Sequence, residues 1–279
     1  MSIQWFPGHM AKTRRTLAEH IRWVDVVIEL GDARAPASSR NPLLDELLGP
    51  KPRLMLLNKS DLANAAWTEK WLQVLRREGP VFPVSAVRGI GTARIVPEVE
   101  RLTAPVLARL AGKGVRPRPV RVMVVGIPNI GKSTLINQLA GGSKARTGNR
   151  PGVTRGNQWI RIHQKVELLD TPGLLWPKFE DPEVGRKLAA LGTIKDEILD
   201  TEELANWLLD WLQKHAPDLL QRFGASGTGQ GIVLEDIGRA RGCLVAGGRV
   251  DTLKAAQILL REFRAGQLGK VTMDQEDVF

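Results

Sequence analysis

Two short motifs in this chain stand in an order that leaves few folds open. Gly126-Ile127-Pro128-Asn129-Ile130-Gly131-Lys132-Ser133 follows the apolar run Val120 to Val125 and leads into a helical pattern. A Gly-x4-Gly-Lys-Ser stretch between a strand and a helix wraps backbone N–H groups around phosphates. Asn58-Lys59-Ser60-Asp61 follows a second apolar run, Leu54 to Leu57. Its carboxylate suits guanine, because Asp61 can accept from both N1–H and N2–H2, a pair of donors that adenine lacks. The guanine-reading motif usually comes after the phosphate loop, and here it comes far before it. Both can serve one nucleotide only if the domain is circularly permuted.

The rest of the chain fits such a domain. Segments 24–30, 53–57, 81–84 and 120–125 read as strands, 158–163 and 166–169 as a strand pair, and they alternate with helical patterns near 11–22, 42–48, 67–78, 92–110 and 132–139. That alternation predicts an α/β fold with a doubly wound, mostly parallel sheet. Gly112-Lys113-Gly114-Val115-Arg116-Pro117-Arg118-Pro119 is too rich in Gly and Pro for helix or sheet, and is expected to link what would be the two ends of an unpermuted domain. Beyond about residue 182 the strand signal stops, and 202–214, 232–241 and 252–265 look helical. The expected division is residues 1–182, a circularly permuted P-loop GTPase domain with an amino-terminal helical extension, and 183–279, a small all-helical domain.

Each motif carries a definite chemistry. Asn129, Ile130, Gly131, Lys132, Ser133 and Thr134 are expected to surround the phosphates, with Lys132 on the β- and γ-phosphates and the Ser133 hydroxyl on magnesium. Asp170-Thr171-Pro172-Gly173 follows the run Val166 to Leu169; Asp170 would hold the metal through water and the Gly173 N–H would meet the γ-phosphate. Thr154 lies between these two motifs, where a switch threonine closes over magnesium, and Gly148, Gly152 and Gly156 around it predict a mobile loop. On the base side, the Lys59 stem would pack on the ring while Asn58 braces the phosphate loop. Ser85-Ala86, after the run Val81 to Val84, would offer a backbone N–H to guanine O6.

The residue after Asp-Thr-Pro-Gly is Leu174, where many GTPases carry a glutamine that orients the attacking water. Slow intrinsic turnover and an outside catalytic group follow. His9, in Trp5-Phe6-Pro7-Gly8-His9-Met10, is a candidate to hold that water, the alternative being a structural or RNA-contacting histidine. Asn129 resembles the asparagine of potassium-activated GTPases, in which a monovalent cation near the β–γ bridge stabilises charge.

Together with Asp32-Ala33-Arg34-Ala35-Pro36 and Trp5 to Met10, these motifs resemble the ribosome biogenesis GTPase A family of circularly permuted GTPases. The motif match spans Trp5 to Gly173, and the carboxy-terminal part matches only in size and class. The resemblance implies GTP and GDP as ligands with Mg2+ and, through Asn129, K+. It also implies a factor that binds a late precursor of the large ribosomal subunit through rRNA, promotes its maturation and leaves after hydrolysis, with turnover stimulated by that subunit.

Charge agrees with a polyanionic partner. The formal net charge is +10, and it is unevenly spread: residues 1–182 hold 28 Lys/Arg against 15 Asp/Glu, and 183–279 hold 12 against 15. Three clusters dominate, namely Lys12, Arg14, Arg15 and Arg22; Lys113, Arg116, Arg118 and Arg121; and Lys144, Arg146, Arg150, Arg155, Arg161 and Lys165. A single cysteine, Cys243, excludes an internal disulfide and reads as a small buried hydrophobe. Without a signal peptide or an apolar span, the chain is expected to be a cytoplasmic monomer with no membrane or DNA partner. Two rivals stay open at this stage: a constitutive RNA-binding module with a structural nucleotide, and a GTPase serving a membrane or signalling partner.

Overall fold

The computed structural model describes residues 8–141, 159–169, 181–194, 200–223 and 231–275. Two compact units emerge. The first is Ser2–Phe179 together with the segment from Asp274 onward; the second is Glu180–Met273.

The first unit is built on a six-stranded sheet of β1 (Val26–Asp32), β2 (Arg53–Asn58), β3 (Val81–Pro83), β4 (Val120–Gly126), β5 (Trp159–His163) and β6 (Val166–Leu169). The strands lie in the order β3-β2-β1-β4-β6-β5, and every pairing is parallel except β5 against β6. All seven residues of β1 are buried, as a central parallel strand covered on both faces requires. Around the sheet run α1 (Gly8–Trp23), α2 (Pro42–Leu48), α3 (Ala65–Leu75), α4 (Ile95–Gly112) and α5 (Lys132–Leu139). Leu17 and Ile21 of α1 and Leu44 and Leu48 of α2 pack with Val27, Met123, Val125 and Leu169, each such side chain contributing about 1.5–3 kcal/mol of burial. Trp71, Leu72 and Leu75 of α3 cluster separately with Met55, Leu57 and Val81.

The topology is the permutation made visible. From β1 the chain steps outward to β2 and β3 at the edge, then returns through α4 and the Gly/Pro linker to β4, which lies beside β1 in the middle of the sheet. The strand that carries the phosphate loop therefore has its central place while being fourth in the sequence. The linker is tied down where it re-enters the sheet. Arg118 forks onto Asp25, with Nη1 at 2.7 Å from Oδ2 and Nη2 at 2.8 Å from Oδ1. The Asp25 carboxylate also accepts from the Arg121 backbone N–H.

That geometry corrects one expectation. Of the four basic residues clustered in and just after the linker, Arg118 is committed to Asp25, and the Arg121 guanidinium on β4 lies 5.0 Å from the Trp159 ring centroid. Lys113 and Arg116 stand exposed on the linker, so they carry what this cluster can offer a polyanion.

The second unit contains α6 (Pro182–Ala190), α7 (Thr201–His215), α8 (Leu234–Ala240) and α9 (Thr252–Arg264). Helix α6 was not anticipated from sequence, although Asp181-Pro182 carries a start signal: the Asp181 carboxylate accepts from the Glu183 N–H, and proline takes the first helical position. Asp200 and Asp251 cap α7 and α9 in the same way. Leu204, Leu208, Leu212, Leu259, Leu260 and Phe263 are buried, as is Cys243. The domain boundary also differs from expectation at the carboxyl end. Asp274 groups with the first unit and not with the helices that precede it, because its carboxylate hydrogen-bonds to Ala37 and Ser38 there.

Candidate functional site

Four loops at the carboxyl ends of β4, β2, β3 and β1 form the site, where parallel α/β sheets hold ligands. The phosphate loop leaves β4 at Gly126. A Cβ there would lie 2.6 Å from the Leu30 carbonyl oxygen of the neighbouring strand, so only glycine permits this close approach. Gly131 ends the loop with φ +103°, a conformation that favours glycine. Asn129 also has a positive φ of 57°, an uncommon state for a side-chain-bearing residue and one that collects at functional sites. The Lys132 ammonium curls over the loop and donates to the carbonyls of Gly126 at 3.0 Å and Ile127 at 2.9 Å. Ile130 is buried beneath the loop, and Ser133 and Thr134 are exposed on the first turn of α5. The N–H groups of that turn have no partner within the helix, which makes it a place for phosphate.

Asn58, at the end of β2, ties three of the loops together. Its Nδ2 donates to the Ile130 carbonyl at 2.8 Å and its Oδ1 accepts from the Ala86 N–H at 2.9 Å. One side chain thus joins the phosphate loop to the loop after β3. The Ser60 N–H donates to the Val84 carbonyl, and the Ser85 N–H to the Ile90 carbonyl, which closes residues 85–90 into a tight loop. On that loop Arg88 places Nε at 3.2 Å from Asp61 Oδ2.

Lys59 follows Asn58 with φ 58°, again positive for a non-glycine residue. Its ammonium lies 3.1 Å from Asp32 Oδ2. Asp32 ends β1 and is wrapped by Arg34, which donates from its backbone N–H and Nε to Oδ1 at 3.0 Å each and from Nη2 to Oδ2 at 2.9 Å. Burial alone would push the Asp32 carboxyl's proton affinity up, but Arg34 and Lys59 outweigh it and hold the carboxyl well below the usual carboxylate range. The Asp-Ala-Arg stretch is therefore the buried ionic seat of the lysine expected to lie against the base. Sequence reading did not find that role. The available signal was a charged pair directly after an apolar strand, where an unpaired charge would be costly to bury.

Of the residues singled out from the sequence, Thr154, Asp170, Gly173 and Leu174 lie outside the described residues, as does the side chain of His9. The described part of the site fits a nucleotide: glycines sit where a Cβ would collide, and a buried ammonium spans the loop. For magnesium it supplies the Ser133 hydroxyl.

Comparison with known proteins agrees with this geometry. Residues 121–221 match the family described as "50S ribosome-binding GTPase", a match that begins on β4 and leaves out β1 to β3. "Ribosome biogenesis GTPase A" of Bacillus cereus is 47% identical over 100% of this chain and 96% of its own length. The protein of the same name from Priestia megaterium is 48% identical over 98% and 97%. The chain belongs to the ribosome biogenesis GTPase A family. Its fold is also similar to the GDP-bound structure of Thermotoga maritima YlqF, with a TM-score of 0.68, 25% identity and coverage of 94% of this chain and 100% of that one. In this GTPase family the permuted, mostly parallel sheet is the expected frame, and no helix among the described residues is long and apolar enough to cross a membrane.

Proposed function

We propose that this GTPase binds a late precursor of the large ribosomal subunit through rRNA, promotes its maturation and dissociates after hydrolysing GTP. The observation that carries this reading is full-length similarity to proteins named for ribosome biogenesis. The excess of Lys/Arg in residues 1–182 supports rRNA as the contact. In this reading Asn58, Lys59, Asp61, Ser85 and Ala86 select guanine, while residues 129–134 and Gly173 hold the phosphates. Ser133, Thr154 and, through water, Asp170 would hold magnesium. The nucleotide supplies the phosphoryl group, and the protein positions it and stabilises developing charge. Because Asp170 to Gly173 runs directly into the helical unit, a γ-phosphate that orders this segment could reorient that unit, coupling nucleotide state to release.

The test is association with ribosomal subunits on sucrose gradients under GTP, GDP and a nonhydrolysable analogue. The triphosphate forms are expected to hold the protein on the large-subunit precursor and GDP to release it, with binding that weakens steeply as salt rises. Affinity independent of nucleotide would favour a constitutive RNA-binding module instead. A flat salt dependence would argue for docking on protein.

Hydrolysis needs a group that Leu174 cannot supply. Subunit-stimulated turnover is expected to be faster in potassium than in sodium, through Asn129. It is expected to fall at least about tenfold, or about 1.4 kcal/mol of barrier, in His9→Ala with nucleotide affinity nearly unchanged. Potassium dependence without a histidine effect would assign His9 to rRNA docking. If neither matters, the ribosome donates the catalytic group.

A further inference from the structure

The chain's return to its first unit ends on one residue with several partners. Asp274 is fully buried. Its Oδ2 accepts from the backbone N–H groups of Ala37 and Ser38 at 2.9 Å each, and its Oδ1 accepts from Ser38 Oγ at 2.7 Å. Its main-chain carbonyl accepts from Trp71 Nε1 at 2.8 Å. A buried carboxylate with this many donors is held in a single geometry.

The elements it joins are the two that flank the guanine-reading motif. Ser38 belongs to the loop after β1. In that loop Ser39 Oγ accepts from the Asp32 N–H at 2.8 Å, the Ala33 N–H donates to the Asn58 carbonyl at 2.8 Å, and Asp32 seats Lys59. Trp71 belongs to α3, the helix that follows Asn58 to Asp61. The motif therefore has a loop on one side and a helix on the other, and Asp274 bonds to both.

We infer that Asp274 is a positioning residue for guanine recognition: it fixes the loop after β1 against α3, and through Asp32 it fixes where Lys59 and Asp61 meet the base. The last residue of the helical unit, Met273, is its direct neighbour in the chain. The inference rests on the reading that Asn58 to Asp61 select guanine.

The test compares GDP with IDP, which lacks the 2-amino donor, by direct binding to the purified full-length chain. In Asp274→Ala, GDP affinity is expected to fall at least tenfold and the GDP:IDP preference at least threefold. Asp274→Asn is expected to restore both, since its amide oxygen can accept from Ala37 and Ser38 while its NH2 donates to Ser38 Oγ. A staple that serves stability alone would lower the melting temperature and leave the preference of the folded molecules untouched, and that result overturns the inference. So does Asp274→Asn behaving like Asp274→Ala while folded. Should Asp274→Ala fail to fold, Ser38→Ala carries the test: a reduced GDP:IDP preference supports the inference, and an unchanged one overturns it. If the parent protein shows no preference for GDP over IDP, the base-reading assignment fails instead.

Discussion

Gly131→Ala is expected to lower affinity for both GTP and GDP by at least about a hundredfold. A Cβ at this position would stand 2.4 Å from Asn58 Nδ2, and the backbone has φ +103°. Two penalties arise together. Alanine in that conformation costs on the order of 1–3 kcal/mol. Displacing Asn58 also breaks its bond to the buried Ile130 carbonyl, for about 1–3 kcal/mol more. The Ala86 N–H loses its Asn58 partner at the same time, so the loops around base and phosphate loosen as one. Binding titrations with GTP and GDP check the size of the loss, and a melting curve checks that the fold persists. Affinity within threefold of the parent would mean that the Asn58 brace does not organise the site.

Asp61→Asn is expected to weaken GTP binding by about 3 kcal/mol or more, since the carboxylate loses its charge and one of its two acceptor oxygens, and the new NH2 is set donor against donor to one guanine N–H. Xanthosine triphosphate should gain correspondingly, because its C2 carbonyl accepts from the new NH2. Competition between the two triphosphates measures the switch. Retention of the parent's preference for GTP would remove Asp61 from the base site. Arg88, which pairs with Asp61 in the parent, would lose its ionic partner in this variant without affecting the phosphate contacts.

What could be read from the sequence was whatever is local. A Gly-x4-Gly-Lys-Ser turn and an Asn-Lys-x-Asp segment each complete their chemistry within a few residues, and the strands around them are apolar enough to declare themselves. The permuted order needed only the motifs' positions. Contacts that depend on distant partners gave no such signal. Asp274 meets Ser38 across 236 positions and Arg118 meets Asp25 across 93, and no periodicity or composition marks such pairs. Arg118 illustrates the consequence: within a run of basic residues it reads as one more phosphate contact, and a single buried carboxylate gives it another role. Helix α6 was missed for a different reason. Nine residues with one proline at the start are a weak periodic signal, and the Asp-Pro start was the better guide.

The place of β4 in the sheet also has a bearing on how the chain is made. During synthesis β1, β2 and β3 emerge before the strand that completes the centre of the sheet. From Asp32 at the end of β1 to Gly126 at the end of β4, a ribosome adding about 5–20 residues per second takes on the order of 5–20 seconds. For that interval β1, mostly apolar and buried throughout in the finished sheet, has one hydrogen-bonding edge open, the condition under which nascent sheets mispair. The loop after β2 is already out, but no phosphate loop exists for Asn58 to brace. Nucleotide held on the phosphate loop cannot assist folding until the second half arrives, and until then Leu17 and Ile21 of α1 can cover a face of β1, at Val27, but not its open edge.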